Sequence, residues 1–79
     1  MNPCNNGLTD AVVRILEQYF NDLDGEKPVP IYDMVMKCVE EPMLRFVLER
    51  ASGNQSTAAR LLGINRNTLH RKLADYNLL

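Results

Sequence analysis

Residues 54–76 of the chain read NQSTAARLLGINRNTLHRKLADY. The stretch holds two short helical patterns that are separated by one glycine. Asn54 is predicted to cap the first helix, and Gly63 is predicted to end it, because glycine readily adopts the positive φ that closes a helix. Asn65 is predicted to cap the second helix. The succession of cap, helix, glycine turn, cap and helix predicts a helix-turn-helix over 54–76.

The apolar positions of this stretch predict how its two helices pack. The first helix is expected to bury its apolar side chains, which are Ala58, Ala59, Leu61 and Leu62. In the second helix the apolar residues recur at i, i+4 and i+7, namely Leu69, Leu73 and Tyr76. Ile64 is expected to fill the corner. The small alanine pair lets two helices that cross after a short turn approach closely.

The second helix of such a motif enters a DNA major groove, and Asn67, His70 and Arg71 are predicted to face outward from it. Thr68 lies on one flank and Lys72 at the edge, and Arg66 lies nearer the inner edge but can extend past the helix end from the first turn. The candidate DNA-binding residues are Asn54, Gln55, Ser56, Asn65, Arg66, Asn67, Thr68, His70, Arg71 and Lys72. Those at the helix starts can offer side chains and backbone N–H groups to phosphate oxygens. Arg66 is the first candidate for base recognition, because its planar guanidinium matches O6 and N7 of guanine.

Length and composition favour an oligomer. The chain has 79 residues, of which 46% are hydrophobic, and is predicted to form a single domain over 1–79. A domain of this size buries only about 60 to 65 per cent of its unfolded surface. A fraction this small would leave many apolar side chains of a monomer exposed. A second subunit is therefore expected to cover some of them.

Charge is distributed unevenly along the chain. Residues 1–49 carry four Lys and Arg against nine Asp and Glu, whereas residues 50–79 carry five against one. A net charge of −1 argues against a protein that binds nucleic acid over its whole surface. Only the basic C-terminal part meets the electrostatic requirement for DNA binding.

Two longer helical patterns precede the helix-turn-helix. The first is predicted to run from an N-cap at Thr9 to about Asp24, with Gly25 as its stop. Its apolar residues cover roughly 160° of the helix surface, which suggests contacts on two sides. The polar, turn-rich residues 1–7 before it are predicted to be disordered or loosely attached.

The second long pattern is interrupted by a proline. It is predicted to begin at Pro30 and to end at Gly53. The apolar stripe changes face at Pro42, and a proline inside a helix removes one backbone hydrogen bond and crowds the carbonyl of the residue four positions before it, here Cys38. The pattern alone leaves open either one bent helix or two helices with a break at this point.

Catalytic, metal and cofactor sites find little support. Cys4 is predicted to be exposed and Cys38 to be a buried small hydrophobe. Two cysteines and one histidine are too few for a zinc finger or a Cys/His catalytic pair. Thr57, His70 and Asp75 could be written as a hydrolytic trio, but residues five apart on a helix are not neighbours. No enzyme and no cofactor are therefore predicted.

The sequence also favours a cytoplasmic chain. Its first residues, MNPCNNGLTD, lack the apolar segment of a signal peptide. No run approaches the roughly 18 to 20 apolar residues of a membrane span. No membrane association is therefore predicted.

Several short motifs carry a resemblance to a known family. In the C-terminal part they are GNQ at 53–55, AA at 58–59, GINR at 63–66, TL at 68–69, KL at 72–73 and a final Tyr76. They resemble the C-terminal DNA-binding unit of the Fis family, named for the bacterial factor for inversion stimulation, and the related C-terminal domains of NtrC-type activators. Upstream, LEQYF with LDG and VEEPML resemble the two dimer-forming helices of Fis. The resemblance covers about Leu8 to Tyr76.

The resemblance implies an all-α, four-helix homodimer with a C-terminal helix-turn-helix. Residues 8–51 would form the dimerisation helices, with one kinked helix through Pro42. The apolar residues expected at the dimer interface are Val12, Leu16, Tyr19, Phe20, Val35, Val39, Met43, Phe46 and Val47. The positions that match the family's DNA contacts are Asn54, Gln55, Asn65, Arg66, Thr68, Arg71 and Lys72.

The family's function is also implied by the resemblance. Its paired second helices are too close together for straight DNA, so the DNA bends and sites are selected more by groove width and flexibility than by base contacts. A nucleoid-associated protein and transcriptional regulator is expected, with double-stranded DNA as its partner and transcription or recombination machinery as further partners.

Three positions depart from the family pattern. Asn67 replaces a small residue, and Ala74 and Asp75 replace a basic pair that is often found there. The loss of positive charge predicts weaker DNA binding and a lower salt dependence than in the best-known members. The segment before Leu8 is short, so stimulation of DNA inversion is not expected.

Two alternatives stay open on the sequence alone. The chain could be the detached DNA-binding domain of an NtrC-type activator, for which a missing ATPase region would be the discriminator. It could instead be a helical dimer that only binds other proteins. That second alternative predicts no DNA binding and no effect of Arg66→Ala.

Overall fold

The computed structural model describes residues 3–79, which form four α-helices and one short 3-10 helix. The 3-10 helix is Pro3–Asn6, and the α-helices are α1 Leu8–Leu23, α2 Ile31–Arg50, α3 Gln55–Leu62 and α4 Arg66–Asp75. The described residues contain no strand, which confirms the predicted all-α, four-helix class. The chain divides into two compact units, of which the first ends at Val35 and the second is Met36–Leu79.

Helix α1 begins two residues earlier than predicted. Its N-cap is Gly7, which has φ 109°, so Thr9 lies inside the helix and the predicted cap is wrong. The helix ends at Leu23 with Asp24 and Gly25 in left-handed conformations, which agrees with the predicted stop. Pro3–Asn6, in the segment predicted to be disordered or loosely attached, forms a short 3-10 helix. Residues 1 and 2 of that segment lie outside the described range.

The apolar arc of α1 contains no fully buried residue. The side chains along its middle, Val12, Leu16, Tyr19 and Leu23, are half-buried. Those at its two edges, Val13, Ile15 and Phe20, are exposed. The Tyr19 hydroxyl accepts a 3.0 Å hydrogen bond from the Val29 backbone N–H, which ties the proline-containing linker 24–30 to this helix.

Helix α2 continues through Pro42, and this decides between the two structures that the pattern left open. It ends at Arg50, three residues before the predicted glycine stop. The Gly53 N–H donates to the Leu48 carbonyl, and the Ser52 N–H donates to the Glu49 carbonyl, both at 2.9 Å. This is the Schellman pattern of helix termination. Ser52, with φ 56°, takes the left-handed position that glycine usually occupies.

The core of the second unit joins α2 to the helix-turn-helix. Its buried residues are Leu44, Ala51, Ala58, Ala59, Leu69 and Leu73. The half-buried residues packed against them are Val47, Leu48, Leu62, Ile64, Tyr76 and Leu78. The segment of α2 after its proline therefore has two apolar faces, because Met43 and Phe46 on its other side are exposed.

Two predictions of burial need correction. Leu61 was expected on the inner face of α3, but it is 61% exposed. Cys38 is exposed rather than buried, since it lies outside the face of α2 that meets the core. Val47, which is predicted at the dimer interface, is half-buried and packs against the core of its own chain.

Candidate nucleic-acid interface

Both helices of the helix-turn-helix begin with an asparagine cap, as predicted. The Asn54 side-chain oxygen accepts the Thr57 N–H at 3.0 Å, and the Asn65 oxygen accepts the Asn67 N–H at 2.7 Å. Each cap supplies an acceptor for an N–H group that the helix leaves unpaired. The caps therefore fix the points at which α3 and α4 begin.

Gly63 ends α3 in the predicted left-handed conformation, with φ 75°. Its N–H donates to the Ala59 and Arg60 carbonyls, and the Ile64 N–H donates to the Ala59 carbonyl. A side chain at position 63 would strain this backbone conformation. The glycine thus sets the sharp turn that directs α4 away from α3.

The buried faces of α3 and α4 decide which side chains face outward. Ala58 and Ala59 on α3 and Leu69 and Leu73 on α4 are all buried, which confirms the predicted close packing through small residues. The half-buried Tyr76 continues the stripe of α4. With that stripe turned inward, the opposite face of α4 is left to solvent.

The structure places most of the predicted DNA-binding residues on the surface. The exposed ones are Asn54, Ser56, Asn65, Arg66, Asn67, His70 and Arg71. The half-buried ones are Gln55, Thr68 and Lys72. We call this set of ten side chains the outer surface of the helix-turn-helix.

The outer surface carries two arginines that are not neutralised by carboxylates. Within residues 3–79 the ion pairs are Arg45 with Glu41 and Lys72 with Glu40. Arg66 and Arg71 belong to neither pair, and both are exposed. Their guanidinium groups therefore keep the charge and the donor groups that an anionic partner needs.

Two residues of the outer surface contact each other across the motif. The Gln55 Oε1 atom at the start of α3 lies 3.0 Å from Nδ1 of His70 on α4. Because an amide oxygen only accepts hydrogen bonds, Nδ1 is the donor in this arrangement. The contact joins the start of α3 to the outer face of α4.

A carboxylate that the sequence analysis missed holds the other side of α4. Glu40 on α2 accepts a 2.7 Å hydrogen bond from the Tyr76 hydroxyl through Oε1, and its Oε2 lies 2.9 Å from Nζ of Lys72. One turn separates Glu40 from the buried Leu44, so both lie on the same face of α2. That spacing was the signal available in the sequence.

These contacts shift the pKa values of two groups. Hydrogen bonds from Lys72 and Tyr76 hold the pKa of Glu40 below its usual value. The hydrogen bond to the Glu40 carboxylate raises the pKa of the Tyr76 hydroxyl to about 12. Both shifts favour the state in which Glu40 is ionised and Tyr76 is protonated, which is the state that forms both bonds.

Residues 3–79 show neither a membrane-spanning helix nor a cluster of metal-ligating side chains. Residues 3–79 include no helix that is both long enough and apolar enough to span a membrane. Over the same range no group of three or more His, Cys, Asp or Glu side chains is arranged to hold a metal ion.

Comparison with known proteins points to one family. Residues 36–76 match a family described as bacterial regulatory protein, Fis family. The chain is 50% identical over 78 residues to a protein of Ralstonia nicotianae named as a Fis-like DNA-binding protein, with 99% of this chain and 96% of the relative covered.

Relatives from other bacteria agree. A protein of Neisseria meningitidis with the same description is 49% identical over 72 residues, which cover 91% of each chain. The DNA-binding protein Fis of Mannheimia haemolytica is 43% identical over 74 residues, with 94% of this chain and 76% of the relative covered. Each similarity extends well beyond the helix-turn-helix.

Proposed function

This chain belongs to the Fis family of bacterial regulatory proteins, and we propose that it is a sequence-tolerant, DNA-bending homodimer that regulates transcription and organises the nucleoid. The observation that carries the proposal is the outer surface of the helix-turn-helix. There Arg66 and Arg71 are exposed outside any ion pair of the described residues, while Leu69 and Leu73 hold the opposite face of α4 in the core. We call α4 the recognition helix.

Phosphate contacts come first in the proposed mechanism. Asn54, Gln55 and Ser56 stand at the start of α3, and Asn65 stands before the recognition helix. Polar side chains and N–H groups at helix starts bind phosphate oxygens and set the register of a protein on DNA. Such contacts carry no base information, which accords with broad specificity.

Base recognition is assigned to the recognition helix. Arg66 occupies its first turn, and the planar fork of its guanidinium matches guanine O6 and N7. A bidentate pair of this kind discriminates against other bases by about 1 to 3 kcal/mol. Asn67, Thr68, His70 and Arg71 lie further along the same outer surface and are proposed as neighbouring contacts.

Homodimer formation is supported by apolar side chains that the chain does not cover itself. On α2, Val35, Val39, Met43 and Phe46 share one face, and the last is 67% exposed. On α1, Val12, Leu16 and Tyr19 are only half-buried, and Phe20 is 52% exposed. We propose that a second copy buries both sets, because covering apolar area is the main driving force of association.

DNA bending follows from the proposed dimer. Two recognition helices related by a twofold axis contact successive major grooves, which lie about 34 to 36 Å apart on straight DNA. We propose that the spacing in this dimer is shorter and that the duplex bends to meet both helices. DNA sites whose central minor groove narrows easily, or whose central base-pair steps kink easily, would then bind best.

The experiment that tests the proposal is fluorescence anisotropy with a short duplex that has an AT-rich centre, measured over a salt series. Arg66→Ala is compared with Arg60→Ala, which removes the same charge from an exposed position of α3 outside the proposed site. We expect wild-type binding that weakens steeply with salt, a large loss in Arg66→Ala and a small loss in Arg60→Ala. A folded dimer that does not bind at low salt would contradict the proposal and favour a protein-interaction module.

A further inference from the structure

A lysine on the flank of the recognition helix is paired with a carboxylate from another helix. Lys72 Nζ lies 2.9 Å from Glu40 Oε2, and the Lys72 side chain keeps 32% of its surface exposed. Four other cationic side chains lie in the described residues after Glu49, and none of them takes part in an ion pair. Lys72 is therefore the one cation of the helix-turn-helix whose charge is compensated.

The pair is better ordered than a typical surface ion pair. Surface pairs contribute little when two long side chains must both be held in place. Here the Tyr76 hydroxyl binds Glu40 Oε1 at 2.7 Å, so the carboxylate is fixed from a second side. The Glu40 side chain is only 18% exposed. The Tyr76 hydrogen bond orders the carboxylate independently of Lys72, which pairs with the other oxygen, Oε2.

The sequence positions explain the arrangement. Lys72 and Tyr76 are four residues apart and lie on the same side of the recognition helix. Glu40 reaches them from the face of α2 that carries Leu44. The raised pKa of Tyr76 and the lowered pKa of Glu40 are consistent with a persistent contact.

We propose that Glu40 restrains the DNA affinity of this protein by holding Lys72 away from the phosphate backbone. The inference rests on the proposed DNA binding. It adds Glu40 to the residues that influence that binding. Each chain then presents one phosphate-binding cation fewer than its sequence suggests. Glu40 is a positioning residue in this scheme, because it acts through Lys72 and does not contact DNA.

The test is the substitution Glu40→Gln. The amide oxygen of the new side chain still accepts from Tyr76, but its amino group cannot pair with the Lys72 ammonium. Lys72 is released, and each added phosphate contact makes the slope of log K against log salt steeper by about 0.9. A dimer gains two such contacts. The ratio of variant affinity to wild-type affinity is then about twelvefold higher at about 50 mM salt than at about 200 mM.

The matched control is Glu41→Gln. It removes the same charge from the next residue, whose carboxylate pairs with Arg45 at 3.3 Å within α2. General loss of negative charge would raise DNA affinity equally in both variants. We expect the steeper slope only in Glu40→Gln, and we expect it to disappear in Glu40→Gln with Lys72→Gln.

Each result leads to a distinct conclusion. An unchanged slope in a folded Glu40→Gln variant, with wild-type binding intact, would overturn the inference and leave the proposed function standing. Absence of wild-type binding at low salt would overturn both. If circular dichroism shows that Glu40→Gln does not fold, the salt dependence of DNA binding by Lys72→Gln tests the inference instead. A slope reduced by the full value of about 0.9 per chain would show that Lys72 already binds phosphate and would overturn the inference, whereas a reduction below half of that supports it.

Discussion

The Nδ1–H group of His70 on α4 donates a 3.0 Å hydrogen bond to the Gln55 side-chain oxygen at the start of α3. The two residues are separated by fifteen positions in the sequence. The contact does not involve Nε2, the other ring nitrogen of His70. Each side chain therefore positions the other on the outer surface, and their contributions to binding should not be independent.

The first prediction concerns this pair. Gln55→Ala and His70→Ala are each expected to weaken DNA binding, and the double variant is expected to lose less than the sum of the two. Residues in contact show coupling energies of about 0.5 to 3 kcal/mol in such a cycle. Anisotropy with one duplex at one salt concentration measures all four affinities. Gln55 with Arg71 forms the control cycle and should be additive, and additive behaviour of Gln55 with His70 would contradict the prediction.

The second prediction compares two leucines of the helix-turn-helix. Leu69 is fully buried, and its truncation to alanine is expected to lower the free energy of unfolding by about 2 to 5 kcal/mol, because a cavity remains. Leu61 is 61% exposed, so Leu61→Ala should change the stability by less than about 0.5 kcal/mol. Urea unfolding followed by circular dichroism measures both. Equal losses would show that Leu61 is buried in solution.

The third prediction is a dependence on alkaline pH. The folded-state pKa of Tyr76 is raised to about 12 from an ordinary value of 10.0, with the hydrogen bond to Glu40 as the main cause. Folding therefore favours the protonated phenol. The resulting stabilisation is complete below pH 10.0 and is lost as the pH rises towards about 12.

Ultraviolet absorbance checks this titration. The difference between wild type and Tyr76→Phe isolates the Tyr76 phenolate. In Glu40→Gln the pKa of Tyr76 should move back towards its ordinary value, because the charged acceptor is gone. An unchanged titration in that variant would mean that the contact with Glu40 does not persist in solution.

The fourth prediction tests the proposed dimer. Phe46 is 67% exposed on the apolar face of α2, and Phe46→Asp is expected to shift the protein from dimer to monomer by placing a charge in an apolar interface. Leu61→Asp is the control, because it introduces the same charge at a residue of similar exposure outside that face. Sedimentation equilibrium gives the mass of each variant. A wild-type monomer, or dissociation of both variants alike, would count against the proposed interface.

Local features of this fold could be predicted from the sequence. The caps at Asn54 and Asn65 and the glycine turn at Gly63 all formed as expected. Their hydrogen bonds join residues only two to five positions apart, so the rules that govern them are contained in short sequence windows. The inward stripe of α4 followed from helical periodicity for the same reason.

Local sequence patterns were less reliable where they were compatible with more than one structure. Thr9 was a plausible cap, but Gly7 occupies that position and the helix starts earlier. Gly53 was a plausible stop, but the helix ends three residues earlier, and Ser52 and Gly53 both take left-handed conformations. A proline inside an apolar pattern fits either a bend or a break, and α2 continues through Pro42 as one helix.

By itself, therefore, the sequence determined the class of the fold, the helix-turn-helix and the set of residues that could form its outer surface. Only the tertiary structure decided that Leu61 and Cys38 are exposed, that Val47 faces its own core, and that Glu40 binds Lys72 and Tyr76. The physical reason is that burial and ion pairing depend on which helix covers a given face. For Glu40 and Tyr76 the partners are 36 residues apart, a distance over which periodicity carries no information about contact.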